Sequence, residues 1–227
     1  MDTIIQTGNV IKTFPSGSGE IVRAVDGISI DIMRGQLTVL RGRSGSGKTT
    51  LVNLIGGLER PDSGQIWVGG KDVTNMPDKQ REAIRRRSVG FIFQSVALFG
   101  DMTALENVEF GMRVAGVPWR KRSRRAAECL DMMGLGKRAK HIPQELSGGE
   151  QQRVAIARAI AHKPDIILAD EPTAQLDTKM SLHILKLFLT LAEREDVTFL
   201  MTSHDPEIVD VAYKVYTLKD GVLSDEQ

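Results

Sequence analysis

A chain of 227 residues with 41% hydrophobic and 26% charged residues can bury a real core, and it reads as one α/β domain carrying a subdomain. A formal net charge of +1 excludes a global attraction to nucleic acid or to an anionic membrane, and the single cysteine, Cys129, excludes an internal disulfide and suits a reducing cytosol. No basic n-region with an apolar core opens the sequence and no uncharged apolar run approaches the ~20 residues of a spanning helix, so neither export nor membrane insertion by this sequence is expected.

From Ile4 to Ile32 the pattern is strand-like: Val10–Phe14, a turn from Pro15 to Gly19, then Ile21–Val25 and Ile28–Ile32, a set expected to form antiparallel strands flanking a ligand. Phe14 ends its strand before the turn, where an aromatic face suits either a purine base or the edge of the core. Gln36–Leu40 is a short apolar run predicting a buried strand, and Thr50–Ile55 reads as the first turns of a helix. Between them Gly42-Arg43-Ser44-Gly45-Ser46-Gly47-Lys48-Thr49 fits the phosphate-cradling pattern G-x-x-x-x-G-K-[S/T]. Glycines let consecutive N–H groups curl toward a phosphate at a helix N-terminus, Lys48 adds a charge for the β- and γ-phosphates, and the Thr49 hydroxyl can ligate Mg²⁺.

Past this loop, Gln65–Val68 with Gly69-Gly70 reads as a strand and hairpin turn, Arg81–Arg87 closes a polar helix, and Val89–Phe93 is a second buried strand ending at Gln94, whose amide can reach a metal or water. From Ser95 to Gln144 strand patterns give way to helical ones, including Ala104–Met112 and Ser123–Met133, so a helical insertion is expected. Residues 113 to 140 hold nine Lys/Arg against two acids, Glu128 and Asp131; the run suits a solvated face or a face turned toward anionic headgroups or an acidic partner. Leu146-Ser147-Gly148-Gly149-Glu150-Gln151 then precedes the apolar-periodic stretch Val154–Ala161, and Ser147 with two glycines at a helix start makes a second anion-binding device. The run Asp165–Glu171 predicts a buried strand ending in the carboxylates Asp170 and Glu171, which cost energy there unless paired or metal-bound. Asp170 suits a Mg²⁺ shell and Glu171 can take a proton from water. Val197–Ser203 is a fourth buried strand that delivers His204, and Lys214–Leu218 with Asp220-Gly221 predicts a last hairpin.

Two phosphate devices, Gln94, Asp170-Glu171 and His204 in this order resemble the ATPase subunit of an ATP-binding cassette (ABC) transporter over nearly the whole chain. The six residues Leu146–Gln151 are the most specific part, arising by chance on the order of once in a hundred thousand chains this long. The resemblance implies an α/β fold with a P-loop NTPase core, a mainly parallel sheet, an N-terminal antiparallel β subdomain and an inserted helical subdomain over approximately 95–145, all within a single domain 1–227. It implies ATP and Mg²⁺ as ligands. Phe14 would stack on adenine; Gly42, Ser44, Gly45, Ser46, Gly47, Lys48, Thr49 and Thr50 would wrap the phosphates; Thr49, Gln94 and Asp170 would serve Mg²⁺. Glu171 would activate the attacking water and His204 would contact the γ-phosphate.

By the same resemblance Ser147, Gly148, Gly149 and Glu150 would touch ATP held by a second copy, giving a head-to-tail sandwich of two chains, and Asp177 would lie in the loop linking the two sites. Arg86–Gln94, Thr103–Val108 and Leu168–Thr173 look most like the lipoprotein-release and macrolide-export type, which also includes a cell-division ATPase and pairs with an integral membrane permease at the cytoplasmic face. Arg43, Ala174-Gln175 and Phe99-Gly100-Asp101 depart from that pattern, the last near the expected membrane-partner contact. A nucleic-acid-binding relative would need a long coiled coil between Gln94 and Ser147, which the roughly fifty residues there do not supply. A GTPase would need an [N/T]-K-x-D motif, which is absent. An importer ATPase and a cell-division or signalling ATPase remain as alternatives.

Overall fold

The computed structural model describes residues 2–15, 17 and 19–224, so part of the turn expected from Pro15 to Gly19 lies outside the described residues. Strands β1 (Thr3–Pro15), β2 (Ile21–Ile28) and β3 (Asp31–Met33) lead into β4 (Leu37–Arg41), helix α1 (Lys48–Ile55), the hairpin of β5 (Ser63–Val68) and β6 (Lys71–Asp72), helix α2 (Asp78–Ser88) and β7 (Val89–Ile92). The chain continues through α3 (Ala104–Val114), α4 (Trp119–Met132), α5 (Gly148–Ala161), β8 (Ile166–Asp170), α6 (Thr178–Glu195), β9 (Thr198–Thr202) and α7 (Pro206–Val211), and reaches the hairpin of β10 (Lys214–Lys219) and β11 (Val222–Ser224).

Two sheets form. β1, β2, β3, β5 and β6 make an antiparallel sheet, while the second runs β11-β10-β4-β9-β8-β7 and is parallel except for β11. Apolar side chains of the parallel strands alternate between two cores, as a sheet covered on both faces requires. Leu37, Val39, Ile167, Ala169, Phe199 and Met201 point to the helical side, with α3, α4, α5 and α6. Leu40, Ile166, Leu168 and Leu200 point to α1 and the antiparallel sheet. Every parallel strand therefore ends at the same edge, and ligands of open α/β sheets bind at that carboxyl edge.

The expected strand Ile28–Ile32 is interrupted: β2 stops at Ile28 and β3 starts at Asp31. Thr7 is the physical reason, because its hydroxyl donates to the Ile28 carbonyl at 3.2 Å and accepts from the Ile30 N–H at 2.9 Å, replacing ladder bonds while the chain crosses along β1. Helix α4 starts four positions before the expected Ser123, at Trp119 behind Pro118. Asp177, expected in a linking loop, caps α6 by accepting from the Met180 N–H at 2.9 Å. The amphipathic spacing of Ile184, Leu185, Phe188, Leu191 and Ala192 buries one face of that helix on the sheet. Among the described residues no helix is long and apolar enough to cross a membrane.

Phe188 and Phe199 are both fully buried, with ring centroids 4.6 Å apart, and they brace α6 against β9. Phe188→Ala should lower unfolding free energy by about 3–5 kcal/mol, since it removes a fully buried aromatic side chain and leaves a void in its place. Denaturant unfolding of the variant checks this; a loss under about 1 kcal/mol would mean that α6 readjusts.

Candidate functional site

The loop from Gly42 to Gly47 joins the carboxyl end of β4 to the first turn of α1. Its closeness to both sheets explains two glycines. At Gly42 (φ 154°) a Cβ would run into the Leu218 carbonyl of β10, and at Gly47 (φ 99°) into the Ala24 carbonyl of β2. Lys48 is buried, and its ammonium donates to the carbonyls of Gly42 at 2.9 Å and Arg43 at 3.0 Å, so the charge lies across the loop. A cavity of about 400 Å³ opens beside it, lined by Ala24, Ser44, Gly45, Gly47–Thr50, Gln94, Asp170 and Glu171.

Across this cavity stand the two carboxylates. Thr49 Oγ1 donates to Asp170 Oδ2 at 2.8 Å, and Thr202 Oγ1 donates to Asp170 Oδ1 at 2.7 Å. Glu171 has left the strand conformation with φ 44°, an unusual value for a residue with a side chain. Its N–H donates to the same Thr202 Oγ1 at 2.9 Å. The carboxylate it carries meets Gln94 Nε2 at 3.4 Å and His204 Nδ1 at 3.5 Å. One hydroxyl thus ties together the ends of β8 and β9, where Asp170 and Thr202 are register partners. Sequence reading passes over Thr202 because a threonine in an apolar strand has no signature of its own; only the pairing of β8 with β9 brings it to the two acids.

The donor set fits a hard cation. Thr49 Oγ1 and Asp170 Oδ2 are 2.8 Å apart, close to the ~2.9 Å between neighbouring oxygens of an octahedral Mg²⁺ with ligands at 2.0–2.1 Å. Gln94 borders the same cavity and offers an amide oxygen. Mg²⁺ ordinarily takes one or two carboxylates and completes its shell with phosphate and water.

Not every residue named from the sequence converges here. Ser46 and His204 line a second hollow on the other flank of the loop, and His204 reaches the first only through Glu171. Phe14 is 37% exposed on the β1–β2 hairpin with the Lys12 ammonium 5.2 Å from its ring, and it does not line the cavity. None of the described residues lining the cavity comes from Leu146–Gln151. That segment forms its own cradle: Ser147 caps α5, its hydroxyl accepting from the Glu150 N–H at 3.3 Å while its N–H donates to Glu150 Oε2 at 2.9 Å. The Ser147 N–H thereby holds the Glu150 carboxyl below its ordinary range. Ser147 and Gly148 are exposed. Gln175, which sequence reading noted only as a departure, lies against Gly148 and Gly149 and donates to the Gln94 carbonyl at 3.4 Å.

A glycine loop between a strand and a helix, at the carboxyl edge of a parallel sheet and faced by Asp170-Glu171 on another strand, defines a P-loop nucleoside triphosphatase. The family model described as ABC transporter matches residues 25–174. The chain belongs to the ABC transporter family, as an ATP-hydrolysing, ATP-binding subunit. It is 40% identical to the lipoprotein-releasing system ATP-binding protein LolD of Bacteroides fragilis, over 96% of this chain and 99% of that one. It is 41% identical to the macrolide export ATP-binding/permease protein MacB of Syntrophobacter fumaroxidans, over 98% of this chain but 31% of that one. Its fold is similar to the dimeric ATP-binding cassette MJ0796 in a post-hydrolysis state bound to ADP and Pi, with a TM-score of 0.93, 38% identity and coverage of 98% and 97%.

Thr202→Val should reduce ATP turnover by roughly tenfold or more and destabilise the fold by about 1–3 kcal/mol, because it strands the Glu171 N–H and deprives Asp170 of a donor. Thr202→Ser should restore most of the rate. Steady-state ATPase assays with both variants check this; a valine variant at parental rate would remove the hydroxyl from any role.

Proposed function

We propose that the chain is the ATPase subunit of an exporter or lipoprotein-releasing transporter, acting as a head-to-tail pair beneath a separate integral membrane permease at the cytoplasmic face. One observation carries the pairing: the phosphate cavity takes no wall from the Ser147–Gly149 cradle, whose Ser147 and Gly148 are exposed, so each chain would hold two separate half-sites. Association of two copies, each lending Ser147, Gly148, Gly149 and Glu150 to the other, would complete both sites. Asp177 at the start of α6 and the neighbouring Gln175 would sit where the two sites communicate. Phe14, on the exposed hairpin edge, would stack on the adenine.

The chemistry follows from the residues bordering the cavity. Backbone N–H groups of Ser44–Thr50 and the Lys48 ammonium, on exchanging the Gly42 and Arg43 carbonyls for phosphate oxygens, would hold the β- and γ-phosphates. Thr49, Asp170 and Gln94 would hold Mg²⁺, which when bound neutralises charge developing on the phosphate oxygens. Glu171, kept in place through its N–H by Thr202 and turned toward Gln94 and His204, would orient the attacking water and accept its proton. His204 would contact the γ-phosphate. A permease would seat in the cleft between the sheet and α3, where Phe91, Phe93, Phe99, Phe110 and Val114 make an apolar hollow of about 380 Å³ rimmed by Arg85 and Arg86.

Glu171→Gln should leave ATP binding within a few-fold of the parent while reducing turnover by a factor of order a hundred or more, since an amide cannot accept the proton. Nucleotide titration and turnover measured side by side check it; near-parental hydrolysis would move the base elsewhere. Specific activity of the purified chain should climb with protein concentration and level off once dimers dominate, because a lone chain lacks the donors that complete the γ-phosphate pocket. ATPase rate across a dilution series, with light scattering to report the oligomer, checks the pairing; flat activity from a monomer would end it.

A further inference from the structure

The basic stretch after α3 is left unused by ATP chemistry, and its placement is specific. Every buried residue of α4 lies from Ala126 onward, namely Ala126, Cys129 and Leu130. The seven residues before them, Trp119–Arg125, form the first two turns of α4, about 10 Å long, and most of them are exposed. Trp119 is 72% exposed, with the Arg120 guanidinium 5.3 Å from its ring. From Arg113 to Arg125 the chain carries Arg113, Arg120, Lys121, Arg122, Arg124 and Arg125 and no acid. Arg124 and Arg125 share Glu128 at 3.5 and 3.7 Å, and Arg122 donates to the Val117 carbonyl. Among the described residues Arg113, Arg120 and Lys121 have no carboxylate within 4.0 Å, although Glu106 and Glu109 border the same hollow as Arg113 and Arg122. The Glu106 carboxylate is engaged by the Thr103 cap.

We infer that this exposed stretch, Trp119 with Arg113, Arg120 and Lys121, is a docking surface for an anionic lipid bilayer. Charge complementarity favours acidic headgroups, where each nearby Lys or Arg adds attraction. An exposed indole among cations is the chemistry of the water–lipid boundary, an apolar body with a polar N–H. The surface also continues from the proposed permease seat, since Val114 borders that cleft, is 47% exposed and follows Arg113 on the last turn of α3. The inference rests on the permease reading for which side of the molecule faces the membrane. A net charge of +1 means that the attraction is local to this patch.

The purified full chain should co-sediment with vesicles of equal parts phosphatidylcholine and phosphatidylglycerol at least tenfold better than with phosphatidylcholine alone, and salt should weaken the difference. The double variant Arg120→Glu, Lys121→Glu should lose roughly a hundredfold of that binding. Trp119→Phe should abolish most of the vesicle-induced blue shift in fluorescence, leaving Trp67 as the other indole. ATPase activity of these variants in solution should equal the parent's. Equal binding to both vesicle types, or undiminished binding by the double variant, would overturn the inference. So would binding to polyglutamate without binding to vesicles, which would point to an acidic protein. No permease is present in this assay; permease docking is read separately, by whether Phe99→Asp stops co-isolation with the membrane subunit while vesicle binding persists.

Discussion

The approach of the phosphate loop to two carbonyls is the constraint from which the site follows. Gly42 lies against Leu218 of the parallel sheet and Gly47 against Ala24 of the antiparallel sheet, with no room for a Cβ at either contact. The loop is therefore wedged between both layers, and its curvature is imposed from two sides. That wedge presents Lys48 and Thr49 to a cavity whose opposite wall, Asp170 and Glu171, belongs to another strand of the same sheet. Removing either contact would loosen the donors and the acid wall together, because β4 is bonded to both β9 and β10.

Polar side chains finish the work that strands begin. Thr7 replaces ladder bonds where β1 changes partner, and Thr202 holds the two acids beyond the end of β8. Both are buried, and a hydroxyl is tolerated there because each of its bonds is made. Gln175 contributes in the same manner from a loop, lying over the α5 cradle while bonded to the Gln94 carbonyl.

Much of this was legible in the sequence because it is local. The loop from Gly42 to Thr49, the paired acids Asp170-Glu171 after an apolar run and the cap at Ser147 are contiguous patterns whose chemistry follows from spacing. The Asp220-Gly221 turn is of the same kind, with both φ values positive, 50° and 83°. What spacing could not supply is which strands become neighbours. Thr202 matters only because β9 lies beside β8, and the break after Ile28 depends on Thr7, more than twenty residues earlier in the chain. The amphipathic period of α6 was available, but Asp177 read as part of a loop until its cap bond to Met180 showed where the helix begins. The cavity likewise needs Ala24, an unremarkable strand residue.

The cap at Ser147 has a consequence for anyone who would probe it. Its hydroxyl oxygen accepts from the Glu150 N–H, and the Glu150 carboxylate in turn engages both the N–H and the side chain of Ser147. One side chain therefore both ends the helix and helps to hold the Glu150 carboxylate. Alanine would remove the two together, so a lost activity would be confounded with a frayed α5. Aspartate is the more informative replacement: it ranks with serine as a cap, yet it sets a negative charge beside the Glu150 carboxylate, so the helix start is kept while the charge that the cradle presents is changed.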